Sequence, residues 1–491
     1  MHTKPAPTSA SIDPSSAAIK TLTPDFDKLS PRFDVQASQI RIIETPSEFY
    51  STLKHKILNA KRSVFLSTLY IGKEETELID TIREALKNNP QLRVSILTDY
   101  LRGTRELPNT SCATLLAGLF KEFPKRVEIR MYHTPNLNGI KKQLLPARIN
   151  EGWGLQHMKL YGFDDEIMLS GANLSNDYFT NRQDRYHLIS SADVTHYFRR
   201  IYNGVCKLSF NMALMGKGND EANLKWEGGE SIPNPIDHSA KYIEAATKEM
   251  VPLIRPVPRT RNPDADTYIY PLFQFTPIMK PDRSTELLAM KLLLGRLATP
   301  GFSGSRWTFT AGYFNMTPEI RDRLLATNPV QGTVIAASPW ANGFYGSKGV
   351  SGMLPAAYTY MARQFVSTVS KLKLSDKIKL KEWRLGTVNE PGGWTYHAKG
   401  LWITLPKEQD PSITLIGSSN YTKRSYSLDL EANALIVTRN PGLKKRLGEE
   451  QTWLQKHAAE VTEKNFEGTE RRVGLHVRIA MWIVTLVGGA L

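Results

Sequence analysis

With 491 residues, 41% hydrophobic and 23% charged, the chain exceeds what one hydrophobic core supports and reads as two globular domains with extensions. No apolar run reaches the roughly 18 residues that a spanning helix needs. The net charge of +15 calls for an anionic partner, whether nucleic acid, an anionic membrane surface or a phosphate-bearing substrate. The two cysteines, Cys112 and Cys206, exclude a disulfide framework and a Cys-based zinc site and fit a reducing compartment.

Residues 1–37, rich in Pro, Ser, Thr and Ala, lack periodicity and are expected to be disordered. Asp13, Asp25 and Asp27 do not suit a transit peptide, which is basic and poor in acids. A first domain over 38–215 opens with TPSEFYSTLKHKILNAK, a capped helix with apolar residues at helical spacing. VFLSTLY, the helix EETELIDTIREALKNN, LRVSILTDY and VEIRMYH follow. Strands alternating with helices predict an α/β fold whose sheet is mixed, mainly parallel and flanked by helices. Next come HMKLYGFDD (157–165), IMLSGAN and the loop LSNDYFTNRQDRY. Residues 216–266 read as linker or interdomain cover around one helical stretch, with Arg255, Arg259 and Arg261 as solvated charges.

A second domain, 267–445, replays that order. TFTAGYF stands for VFLSTLY, GTVIAAS for LRVSILT and IKLKEWR for VEIRMYH, and then come HAKGLWITL (397–405), ITLIGSSN and YTKRSYSLDLEANALIV. His157 to Asn173 is 16 residues and His397 to Asn420 is 23, whereas the further step to Asp184 or Glu431 is 11 in both. The seven extra residues are a hairpin insertion, PKEQDPS. The pattern is an internal duplication with half an active site in each copy.

In an extended strand residues i and i+2 share a face, so His157 with Lys159, and His397 with Lys399, project into one cleft. Two imidazoles and two ammonium groups around one point suit a phosphate diester. The lysines and the Asn173 and Asn420 amides bind non-bridging oxygens, one imidazole attacks phosphorus and the other protonates the leaving oxygen. Asp184 and Glu431 are expected to bond the other ring nitrogen of each histidine. The lysines supply the positive charge, so no metal or other cofactor is expected to be needed.

These residues resemble the HKD motifs of the phospholipase D superfamily, His-x-Lys-x4-Asp followed by Gly-Ser-x-Asn. The first copy has Asp164 but Gly171 in the Ser place; the second has Thr404 in the Asp place but keeps Gly417, Ser418 and Asn420. The resemblance implies that Asp164 supports the fold around the motif. QHMKLYGFDD, GANLSNDYFTNRQDRY, TDYLRGTRE, YHAKGLW and GSSNYTKRSYSLDLEAN are further similar to the eukaryotic phosphatidylglycerophosphate synthases of mitochondria. That similarity implies transfer of a phosphatidyl group from CDP-diacylglycerol to glycerol 3-phosphate, releasing CMP through a phosphatidyl-histidine. It also implies a place in the route to cardiolipin, peripheral to the mitochondrial inner membrane.

A transferase must hold a second anion, and the candidates are Arg102, Arg105, Arg182, Arg185, Lys348, Ser418, Lys423 and Arg424, with the loop 338–352 offering amides and aromatics. Residues 446–491 read as a helix and an apolar tail. The 13 mostly apolar residues 479–491 follow Arg471, Arg472 and Arg478 and reach only about 20 Å as a helix, enough for an interfacial anchor on an anionic membrane; packing on protein is the other reading of that tail. The competing functions are a nucleic-acid phosphodiesterase of the same superfamily and a phosphatidyltransferase with serine or phosphatidylglycerol as acceptor. Basic stripes interleaved with stacking aromatics are not evident, so no nucleic-acid partner is expected.

Overall fold

The computed structural model describes residues 14–139, 142, 150–214, 222–257, 259–475, 477–479 and 481. Two nine-stranded sheets dominate the fold. The first runs in spatial order Ala222–Lys225, Phe210–Leu214, Val127–Tyr132, Arg93–Asp99, Ser63–Ser67, Leu160–Phe163, Glu166–Ser170, Tyr186–Ser190 and Ile40–Ile43. The second runs Ala458–Val461, Ile378–Trp383, Gln331–Ala337, Arg306–Ala311, Lys399–Thr404, Ile413–Gly417, Glu431–Thr438, Thr267–Gln274 and Phe33–Val35. Leaving out Ala222–Lys225 and Phe33–Val35, the remaining eight strands of each sheet match one to one in spatial order, chain order and direction. The fold is therefore duplicated, and the second sheet takes in Ala458–Val461, beyond the expected boundary at 445.

Both sheets are mixed, but the expectation of a mainly parallel sheet is corrected. Only two of the eight pairings in the first sheet are parallel, and only two of eight in the second. Helical crossovers make neighbours parallel only among three strands of each half, whereas hairpins join Leu160–Phe163 to Glu166–Ser170 and Lys399–Thr404 to Ile413–Gly417, and hairpins enforce antiparallel neighbours. The PKEQDPS insertion is the loop of one of them, between Lys399–Thr404 and Ile413–Gly417.

The expectation of disorder over residues 1–37 also fails from Pro14 onward. Pro14–Asp27 is a helix whose Ile19, Leu22 and Phe26 are buried against Leu293, Leu294 and Phe302 of the second half. Those three side chains stand three and four residues apart, an apolar stripe that the polar composition around it conceals. The interdomain segment is likewise ordered where described. Ser239–Ile254 is a helix that inserts Tyr242, Ala246, Met250 and Ile254 into the core shared by both sheets. Arg259 pairs with Asp193 and Arg261 with Asp27 on the surface.

That shared core contains Leu97, Tyr132 and Leu169 from the first sheet and Phe273, Trp383 and Ile436 from the second. One ion pair crosses it. Arg185 was expected to bind substrate; instead it is fully buried and forks onto Glu450, with Nε and Nη2 each 2.9 Å from a carboxylate oxygen. His187 Nε2 and Trp402 Nε1 share the same carboxylate at 2.9 Å, and the guanidinium lies 3.8 Å over the Trp402 ring. Burial pushes the Glu450 carboxyl up, but Arg185 and His187 outweigh it and hold it well below the ordinary range. Removing one partner of such a pair strands a buried charge, so Glu450→Ala is expected to cost about 3–5 kcal/mol of stability, measurable by denaturant unfolding.

Candidate active site

Backbone pairing between the halves builds the site. Gln156 forms a parallel bridge with Leu430, and the His157 N–H donates to Leu430 O at 2.9 Å. In the other half, Thr395–Tyr396 pairs in parallel with Arg182–Gln183, and the His397 N–H donates to Gln183 O at 2.8 Å. Each histidine is therefore zipped to the residue just before the other half's acid. The consequence is a crossed arrangement. His157 Nδ1 lies 2.9 and 3.0 Å from the two Glu431 oxygens, and His397 Nδ1 lies 2.7 Å from Asp184 Oδ2.

A carboxylate on Nδ1 fixes the Nδ1–H tautomer and leaves the Nε2 lone pair for chemistry. Both histidines are nearly buried, 7% and 4% exposed, and the lysines are closer still to complete burial. Lys159 Nζ donates to His157 O at 2.7 Å; Lys399 Nζ lies 2.9 and 3.2 Å from the His397 ring nitrogens and 4.0 Å from Asp184 Oδ2. Asn173 Nδ2 donates to Tyr178 OH at 3.2 Å, and that hydroxyl stands 3.4 Å from His397 Nε2. Asn420 Oδ1 is buried with no hydrogen-bond partner among the described residues.

The glycine that replaces the motif serine in the first copy has a steric cause. A Cβ at Gly171 would lie 2.7 Å from Asp184 Oδ1 and 2.9 Å from Lys399 Nζ, so the first copy cannot carry the serine there without displacing them. In the second copy Ser418 Oγ donates instead to Glu431 Oε2. Ser418 was expected to touch substrate; the structure turns it to the acid. Asp164, at a positive φ of 50°, accepts the backbone N–H groups of Lys61, Arg62 and Ser63 and so ties the hairpin to the strand beside it.

Desolvation governs the electrostatics. Burial, then Lys159, holds the His157 imidazole well below its usual range; burial, then Lys399 and Arg182, does the same to His397. Burial draws Lys159 down strongly and Lys399 to about 8, with carboxylates opposing. Burial pushes Asp184 up to about 6 and Glu431 to about 7, with the lysines opposing. Near neutral pH the site is thus two neutral imidazoles between weakly held ammonium and carboxylate charges.

The remaining expected contacts divide. Arg182 and Arg424 lie near enough for their charges to act on His397 and His157 respectively. Arg102 pairs with Glu106 and stacks 4.0 Å over Tyr70, while Arg105 pairs with Glu151. Lys423 and Lys348 are exposed. Sequence reasoning missed Tyr178 and Tyr313, whose rings stand edge-on to His397 at 5.2 and 5.3 Å. It also missed Glu286, fully buried with both carboxylate oxygens unpartnered among the described residues and pushed up to about 8 by burial and then by Glu431. No motif spacing marks these three. If the crossed pairing holds, Glu431→Gln will perturb the His157 ring nitrogens and Asp184→Asn those of His397. Nitrogen NMR of labelled histidine checks this, and in the unaltered protein both rings are expected to stay neutral below pH 6.5, the ordinary imidazole value.

Known proteins share this fold and much of this sequence. Residues 53–205 match the family model described as cardiolipin synthase, PLD-like domain. In fold, the chain is similar to the crystal structure of phosphatidylserine synthase from Haemophilus influenzae, with TM-score 0.71 and 19% identity over 97% of this chain and 98% of that one. In sequence, it is 44% identical over 480 residues to the CDP-diacylglycerol–glycerol-3-phosphate 3-phosphatidyltransferase of Saccharomyces cerevisiae, covering 95% of this chain and 91% of the relative. It is 37% identical over 487 residues to the mitochondrial enzyme of that name from Homo sapiens, covering 92% and 83%. With its duplicated sheets and its two histidines crossed onto two acids, the chain belongs to the CDP-diacylglycerol–glycerol-3-phosphate 3-phosphatidyltransferase family.

Proposed function

We propose that this protein is a phosphatidylglycerophosphate synthase. It transfers the phosphatidyl group of CDP-diacylglycerol to glycerol 3-phosphate and releases CMP. The observation that carries the reading is the crossed site, two histidines with opposed acids around two buried lysines, in a chain whose curated relatives bear that enzyme name over most of their length.

In the first half-reaction His157 Nε2 attacks the phosphorus that bears diacylglycerol. The P–O bond to CMP breaks and its electron pair leaves with CMP, while His397, which takes a proton on Nε2 when the anionic substrate binds, donates that proton to the leaving oxygen. In the second, His397 takes the proton of the glycerol 3-phosphate hydroxyl, whose oxygen attacks the phosphatidyl-histidine and frees His157. Lys159 and Lys399, with Asn173 and Asn420, neutralise the charge that builds on the equatorial oxygens, so no cofactor is required in this scheme. Burial of the site excludes water, the competing acceptor.

The proposed place of action is the mitochondrion, the compartment in the names of the mammalian relatives, and within it the periphery of the inner membrane, which the motif resemblance implies. No helix among the described residues is long and apolar enough to cross a membrane. Leu475 and Ile479 are exposed at 68% and 47% beside Arg472 and Arg478, which supports peripheral contact with an anionic surface; most of the apolar tail, 482–491, lies outside the described residues.

Purified protein given CDP-diacylglycerol is expected to release CMP with glycerol 3-phosphate but not with serine or phosphatidylglycerol, and to leave a labelled oligonucleotide intact. His157→Ala or His397→Ala should lower kcat by at least about 100-fold. Oligonucleotide cleavage, or equal turnover with serine, would sink the reading. The pH profile of kcat/KM should be bell-shaped. Asp184 and Glu431 must be ionised, so activity falls as pH drops through about 7 to about 6; Lys399 must be charged, so it falls again as pH rises through about 8.

A further inference from the structure

The halves agree in strand order and motif, yet one ion pair is inverted between them. Four residues after the motif asparagine stands Asp177 in the first half and Arg424 in the second; nine residues after it stand Arg182 and Asp429. Each couple forms a bridge, Arg182 Nη2 to Asp177 Oδ2 at 3.0 Å and Arg424 Nε to Asp429 Oδ2 at 2.8 Å. The same bridge is thus built twice with its polarity exchanged.

The inner member of each couple grips the opposite half two residues ahead of that half's histidine. Arg182 Nε donates to Thr395 Oγ1 at 2.9 Å, and Asp429 Oδ1 accepts the Leu155 N–H at 2.8 Å. An inner guanidinium therefore flanks His397, and an inner carboxylate flanks His157. The charges register at the rings: Arg182 adds to burial and Lys399 in holding His397 down, whereas at His157 Asp429 works against burial and Lys159, with its partner Arg424 opposing it more weakly. Asp177 sits on the rim at 56% side-chain exposure, where solvent screens it, so the Arg182 charge is not cancelled toward the cleft.

We infer that Arg182 is the anchor of a phosphate-monoester subsite on the His397 side of the cleft, which holds the nucleotide phosphate as it leaves and then the phosphate of the acceptor. This rests on the transfer proposed above, in which both mobile species, CMP and glycerol 3-phosphate, carry a phosphate monoester. A guanidinium offers such a group a planar, two-pronged fork, while the carboxylate in the equivalent place beside His157 would repel it. The surroundings are shaped for this. The guanidinium lies 4.6 Å over the Tyr178 ring, and a Cβ at Gly343 would stand 3.1 Å from Nη2, so glycine there lets the 339–345 segment approach the fork closely. Phe344 packs on Tyr313 at 5.3 Å, and Tyr313 on His397.

Arg182→Gln is expected to raise the KM for glycerol 3-phosphate about 10- to 100-fold, the loss of a charge-assisted bidentate contact. Calorimetry should show the unaltered protein binding CMP more tightly than cytidine, a preference that Arg182→Gln abolishes and Arg182→Lys retains in part. Circular dichroism identifies a variant that fails to fold, and Arg182→Lys then carries the comparison. A folded variant with unchanged KM for glycerol 3-phosphate and undiminished preference for CMP overturns the inference. Absence of glycerol 3-phosphate-dependent CMP release from the unaltered protein sinks the transfer instead, and the CMP-to-cytidine comparison still decides Arg182.

Discussion

Each imidazole of the site depends on a carboxylate that its own half does not possess. His157 takes its acid from Glu431 and His397 from Asp184, so neither half is a functional unit. The crossing follows from backbone pairing, since the segments before each histidine dock beside Leu430 and Gln183. A histidine in this position needs its tautomer set within a few tenths of an ångström. The interface between the halves must therefore be as rigid as a core, and it is made as one, with large apolar side chains from both sheets around the Arg185–Glu450–His187 cluster.

Rigidity alone does not make the chemistry; the charge balance does. Two ammonium groups and two carboxylates buried together cost desolvation energy that their mutual attraction only partly offsets, which is why both carboxyls are pushed up and both lysines drawn down. In the proposed transfer a substrate bringing phosphate anions would offset that cost and favour the charged form of both lysines.

Much of this was legible in the sequence. The duplication, the paired His-x-Lys, the two asparagines and the two acids at equal spacing could all be read because period and spacing are local quantities. The crossing could not, because it concerns residues separated by 274 and 213 positions. Arg185 illustrates the same limit: its place next to Asp184 suggests substrate contact, and only the long-range approach of Glu450 makes it an internal tie. The helix at Pro14–Asp27 escaped because a stripe of three apolar residues is a weak signal amid proline and serine. The inverted bridge, by contrast, stands in the sequence at matching offsets from the two asparagines, and was invisible only until the structure showed that those offsets matter.

A duplicated site presents a difficulty that a simple dimer shares: two equivalent histidines have no reason to take different roles. The proposed transfer needs one ring to carry the phosphatidyl group while the other moves protons, and random assignment would bury substrate in unproductive orientations. The sequence breaks the symmetry in two coordinated ways. Gly171 with Asp184 in one half answers Ser418 with Glu431 in the other: no side chain fits between Asp184 and Lys399 at Gly171, whereas Ser418 donates a hydrogen bond to Glu431. The ion pairs then invert, placing a cation beside His397 and an anion beside His157. The first change lets both histidines be held equally well by unlike groups; the second makes the cleft directional. The backbone keeps the symmetry strand for strand, and the ion pairs beside the two histidines depart from it, as unlike roles for the two rings require.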